Sequence, residues 1–248
     1  MNTINLYRSE LRRLTTTRMP IAFGVVIVVL AVTNGIAVVA GTDMDGSKTF
    51  ISTGADQQSL VAFAANALML AGLFGATAAA REYAHNTIIG SYLMTPHRRR
   101  AMRAQFAAIA TGGAAVGVIG AGLTTIALAG SLPMTDYSFM VSASGVAQVL
   151  AAAAWAGAAG AVLGASIGSI VRNTGGAVTG TVLALVIAPP VVVQLASGAA
   201  PWVPTNLALV VSGVTSETGV VAAIIAIGLW ALVPALAALW SVDRRDVV

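Results

Sequence analysis

The sequence predicts an all-α membrane protein with six transmembrane helices, and three observations carry that prediction. Of its 248 residues, 57% are hydrophobic and 9% charged, against about 25% charged in soluble domains. Six apolar runs, each reaching the ~20 residues that cross a bilayer, contain no Asp, Glu, Lys or Arg. The cations between those runs fall on one side. With the N-terminus inside, the inner segments hold Arg8, Arg12, Arg13, Arg18, Arg81, Arg98, Arg99, Arg100, Arg103, Arg172, Arg244 and Arg245. The outer segments hold Lys48 with Asp43, Asp45, Asp56, Asp136 and Glu217. Positive charge stays on the cytoplasmic side, so both termini are expected in the cytoplasm, beneath a cell inner (plasma) membrane.

Residues 2–19 open the chain. Ile4, Tyr7, Leu11 and Leu14 make one apolar stripe, with Arg8, Glu10, Arg12 and Arg13 mostly off it. Such a helix lies flat among lipid headgroups; the plainer alternative is a charged leader that only sets topology. The apolar block after Pro20 exceeds the roughly 7–15 residues of a signal peptide's apolar region, so it reads as a retained span, 20–40. A loop at 41–58 and span two at 59–80 follow.

The polar stretch REYAHNTIIGSYLMTPHRRRAMR, 81–103, then interrupts the apolar chain. Ile88, Ile89, Tyr92 and Leu93 share one face at helical spacing. The residue before proline avoids the α region, so Thr95-Pro96 ends that piece. The same pair suits the N-cap and first position of the next helix. A short helix over about 83–94 is therefore expected between two long spans.

Span three is read at 104–130, a loop around Pro133, Asp136 and Tyr137, span four at 145–171, and a tight turn at Arg172-Asn173-Thr174. Span five occupies 175–196. Pro189-Pro190 removes two backbone donors and should kink or break it, as a hinge or a static bend. In 197–218 Pro201, Trp202 and Pro204 break the chain, and the apolar run after them is too short to cross. Span six is 219–240, followed by the tail SVDRRDVV. Ala156, Gly160, Gly164 and Gly168 recur every fourth residue on span four, Gly113 and Gly117 on span three, and Gly176 and Gly180 on span five. Small residues at that spacing let helix backbones approach closely; packing within the chain is expected ahead of a dimer interface.

Absences narrow the function. There is no cysteine, hence no disulfide or thiolate chemistry. The net charge of +4 sits in loops between apolar blocks, which is membrane topology and not a nucleic-acid surface. Coupled carriers use ionisable groups near mid-membrane, and the predicted spans have none. No G-x-x-x-x-G-K-S/T run provides an ATP site, and no catalytic cluster suggests a membrane enzyme. His85 and His97 read as surface residues, without partners at metal-site spacing. Asn66, Gln148 and Gln194 fall within spans; each either meets a polar part of a substrate or ties helices together. Trp155, near mid-depth, lines a cavity or fills the core. Arginine in place of lysine, with abundant Ala, Gly and Val, suits a GC-rich bacterial genome.

An N-terminal amphipathic helix, six spans and Glu82 just after span two together resemble the permease of an ATP-binding cassette exporter of the type-2 (type V fold) family. That family commonly has Glu, Gly-Thr, leucines, Pro and Arg after span two; here Glu82, Thr87, Leu93, Pro96 and Arg98 to Arg100 stand there. Its tail often runs aromatic, Arg-Arg-Asp, aliphatic, matched by Trp240, Arg244, Arg245, Asp246 and Val247. Residues 201–214 resemble its re-entrant outer segment. Asn86 stands where Gly often precedes the Thr, and Gln105 where Lys often begins span three.

The resemblance implies a permease without catalytic residues that binds no cofactor itself. It would pair with a second permease, identical or different, above cytoplasmic ATPases that hold ATP and Mg. The 83–94 helix would be the coupling helix, contacting the ATPase through Tyr83, Thr87, Ile88, Ile89, Tyr92 and Leu93. Glu82 would pair with a cation at that interface or on the N-terminal helix. Asn66, Gln148, Trp155 and Gln194 would line the pathway. Lipids, glycan precursors, peptides and drugs are the family's cargo. The alternative is a structural or regulatory membrane protein recruiting another soluble partner.

Overall fold

The computed structural model describes residues 3–84 and 98–244, which are helical wherever regular, with no strand among them. Six spans are long and apolar enough to cross a membrane. An even number of crossings brings residues 3 and 244 to the same end of the bundle.

Helix α1 (Thr3–Thr16) precedes α2 (Met19–Ala40), the first span, which has Pro20 in its first turn. Segment 41–58, expected to be loop throughout, holds a 3-10 turn at Thr49–Ile51 and is α-helical from Gly54. Thr53 Oγ1 accepts from the Asp56 amide, and Asp56 Oδ2 accepts from the Thr53 amide. This reciprocal cap satisfies donors that a helix start leaves unpaired and begins α3 (Gly54–Val61) inside the polar run. In the remaining loop, the Ser47 hydroxyl and amide donate to Asp45 and hold its carboxyl below the usual range. After a break at Ala62–Phe63, α4 (Ala64–Ala84) completes span two. The break turns Phe63 onto α5 (Arg98–Ser131), where a Cβ at Gly120 would collide with its ring.

Helix α6 (Ala143–Val171), the fourth span, starts on the Ser142 hydroxyl and ends on Arg172 in the left-handed region, at φ 59°. It carries small residues on two faces. Gly160, Gly164 and Gly168 lie against the Leu68, Gly72 and Ala76 carbonyls of α4, a parallel register advancing by four on both helices. Gly157 and Ala153 meet Gly113 and Gly117 of α5, running antiparallel. Every fourth-residue glycine on α6 is thus spent inside the chain. Close backbone approach replaces side-chain burial as the glue, as expected where lipid is as apolar as the core. Gly176 instead sits in the turn that caps the next helix, and Gly180 faces a single side chain, Ile167, whose methyl lies 3.0 Å from where a Cβ would stand.

In the fifth span the regular α-helix is interrupted before Pro189-Pro190, but the span is not broken. α7 (Thr174–Val182) begins on Asn173, whose Oδ1 accepts from the Gly176 amide. A π-helical turn follows at Leu183–Ile187, then α8 (Ala188–Leu195). The Ala188 amide reaches back five residues to the Leu183 carbonyl. Widening the helix by one residue makes room for the proline rings without ending it, as π turns do. The helix continues to Leu195. α7 packs on α4 and α6, whereas α8 packs mainly on its own π turn and the turn after it.

Residues Ser197–Trp202 form a tight turn, and α9 (Pro204–Val211) folds back into the bundle with Leu207 and Ala208 fully buried. It packs against α4, α6 and the last span, α10 (Val220–Arg244). Peripheral α2, α8 and α10 turn Val29, Ile36, Val191, Ile225 and Leu236 outward.

Candidate functional site

Two polar clusters stand at opposite ends of the bundle. The first lies where α1 crosses the ends of α4 and α5. Three of the four stripe residues, Tyr7, Leu11 and Leu14, face the bundle, while Ile4 is 58% exposed and Leu6, Glu10 and Arg13 also turn inward. The surface that α1 covers is polar on one side, around Glu82 and Gln105, and apolar on the other, around Phe74 and Val116, so charged residues share its inward face. Tyr7 Oη and Thr111 Oγ1 share a hydrogen bond of 2.9 Å. Arg13 Nη1 lies 3.1 Å from Glu10 Oε1 and 3.6 Å from Glu82 Oε1, and so bridges two carboxylates. The Gln105 side chain faces Glu82, yet its Nε2 is buried and lacks a well-formed hydrogen bond. Glu10, Arg13, Glu82 and Gln105 line a cavity of about 270 Å3.

Beside it, the Arg172 guanidinium sits 5.3 Å from the centre of the Tyr83 ring, within range of a cation–π contact. The left-handed backbone of Arg172 ends α6 there. The last residues of span two are therefore held from two sides, by α1 through Arg13 and by the α6–α7 turn through Arg172. Of the residues expected to contact an ATPase, Glu82 and Tyr83 are here. Thr87, Ile88, Ile89, Tyr92 and Leu93 lie outside the described residues, as do both histidines and the tail from Arg245 to Val247.

Removing the shared cation should be felt. Arg13→Ala leaves Glu10 and Glu82 facing each other in partial burial, and breaking a fully buried pair costs about 3–5 kcal/mol. Arg13 is partly exposed, which reduces this to about 1–2 kcal/mol. We expect a lower Tm in detergent for Arg13→Ala, restored in part by adding Glu82→Gln. Purely additive losses would show that the two groups are not coupled.

The second cluster ties together the loops at the end of the bundle away from α1, and sequence reasoning missed its centre. Gln57 is 0% exposed. Its Nε2 donates to the Ile51 and Ser138 carbonyls at 3.1 and 2.9 Å, and its Oε1 accepts from the Met140 amide at 2.8 Å. Gln58 Nε2 donates to the Ser212 carbonyl at 2.9 Å, and Gln148 Nε2 to the Val211 carbonyl at 3.2 Å. These are orphan carbonyls at the end of α9. Gly213, at φ +74°, completes that end, and a Cβ there would strike both glutamine amides. Lys48 Nζ donates to the Val38 and Val39 carbonyls, closing α2 in the same way.

The four residues expected along a pathway separate. Gln148 is a tie, as just described. Trp155, 40% exposed, donates through Nε1 to the Ile224 carbonyl at 3.2 Å and packs on Gly228, so it joins α6 to α10. Asn66 and Gln194 are exposed on α4 and α8. No hydrogen bond joins any two of the four. Among the described residues, no three His, Asp or Glu side chains converge as metal ligands. No protein-family model matches this chain, and no curated protein matches it.

Proposed function

We propose that this chain is the membrane-spanning subunit of an ATP-driven exporter, worked by a separate cytoplasmic ATPase docked under residues 81–103. The observation that carries the reading is the double anchoring of Glu82 and Tyr83. They end span two and begin the polar stretch that resembles a coupling helix. Arg13 holds one to α1 and Arg172 stacks on the other at the α6–α7 turn. A force applied to the stretch would reach three elements at once. A partner moves such an equilibrium only by binding one arrangement better than another, and the ATPase, closing on ATP and Mg, would supply that difference. Two such permeases would share a pathway in the plasma membrane, with both termini cytoplasmic.

Copurification tests this. The native chain should bring down an ATPase. Tyr83→Asp, Ile89→Asp or Leu93→Asp places a charge in the proposed contact. Each should lower the nucleotide hydrolysis of the complex about tenfold or more, the scale of a lost interface hot spot. An unchanged complex and rate in all three would remove the assignment. A different soluble protein recovered in place of an ATPase would favour a regulatory membrane protein.

A further inference from the structure

The cavity beneath α1 adjoins a second one of opposite character. The first, about 270 Å3, has four charged groups among the described residues of its lining, Glu10, Glu82, Arg13 and Arg81, whose formal charges cancel. Across Leu14, which borders both, an apolar crevice of about 220 Å3 runs between α1–α2 and α5, lined by Leu11, Ile27, Phe74 and Val116. A neutral but charge-bearing pocket at the end of the spans thus continues into an oily slot alongside them. Gln105 adds a further requirement. It is 7% exposed, and its side chain is turned toward Glu82 while its Nε2 lacks a well-formed hydrogen bond. Buried donors are normally satisfied, so an acceptor oxygen in the pocket would complete it.

We propose that these two cavities hold one phospholipid with a zwitterionic, primary-amine headgroup. The ammonium would sit against Glu10 and Glu82, the phosphate toward Arg81 and the Gln105 amide, and an acyl chain in the crevice. The headgroup chemistry follows from the lining. An ammonium donates three hydrogen bonds to carboxylates, whereas a quaternary ammonium donates none and is recognised by aromatic cages. Among the described residues, no Phe, Tyr or Trp lines the charged pocket. An anionic headgroup would bring further negative charge to two part-buried carboxylates, an unfavourable approach at low dielectric. The inference is independent of the exporter reading, because it needs only the bundle and the bilayer.

Native mass spectrometry of the full chain in detergent tests it, with phosphatidylethanolamine, phosphatidylcholine and phosphatidylglycerol added in turn. The amine lipid should be retained about tenfold more tightly than either other headgroup. Glu82→Gln should abolish that preference. Gly24→Leu fills the crevice wall at a position where a Cβ meets nothing within 4 Å, and should weaken retention without disturbing the charges. Equal retention of the three headgroups, a preference for phosphatidylglycerol, or unchanged retention in Gly24→Leu would each overturn the proposal. Should Glu82→Gln fail to fold, the headgroup series and Gly24→Leu still decide.

Discussion

Gly164→Leu is expected to prevent the bundle from forming. A Cβ at that position would fall on the Gly72 carbonyl oxygen, a backbone atom that no rotamer change can move. Separating α4 from α6 to make room would also open the neighbouring contacts of Gly160 with Leu68 and Gly168 with Ala76. Overpacking a core typically costs about 1–3 kcal/mol and occasionally more. Here three consecutive backbone contacts are lost together, so about 3 kcal/mol or more is expected. The measurement is folded yield and Tm after detergent extraction. Gly122→Leu is the matched control, since a Cβ there meets nothing within 4 Å. Equal behaviour of the two variants would mean that the α4–α6 contact does not hold the fold.

The second large effect is expected from Gln57→Leu. The substitution keeps the volume roughly constant but strands three backbone groups, the Ile51 and Ser138 carbonyls and the Met140 amide. Each unsatisfied buried group costs about 1–3 kcal/mol. Water can enter at the part-buried Ser138 and Met140 bonds, so a total of about 3 kcal/mol is expected. The Met140 amide should lose its hydrogen-exchange protection, and the 135–140 loop should become the preferred site of limited proteolysis. Gln58→Leu, which removes one bond, should cost about 1 kcal/mol. Unaltered protection at Met140 in Gln57→Leu would show that the loop is held some other way.

The six spans were legible because lipid imposes a single coarse demand, a long run without charge, and chain composition expresses it directly. The α6 glycines were legible for a related reason: a fourth-residue repeat of small side chains has one physical use in a bundle. Phase and partnership were harder. Tyr7, Leu11 and Leu14 of the stripe do face the bundle, but hydrophobicity alone left Ile4 on the wrong side and gave no sign that Glu10 and Arg13 turn inward beside them, toward Glu82. Gln57 and Gln58 were hidden in a run read as loop, although Thr53 and Asp56 stand at the spacing of a reciprocal helix cap. Trp155 and Gln148 could not be assigned because their acceptors are backbone carbonyls, which every residue type provides. Arg172 and Tyr83 are far apart in the chain, and no local pattern announces that one stacks on the other.

Between Tyr83 and Ala64, span two is clamped to α6 backbone against backbone, and such a seam does not slide by fractions of a turn. Load entering at Tyr83 is therefore handed on with little give until the interruption at Ala62–Phe63. That joint lies beside Gln57 and Gln58, the two amides that tie the loops at that end to one another. Movement started at one face of the bilayer would thus surface at the other, as a change in which loops those two side chains grip.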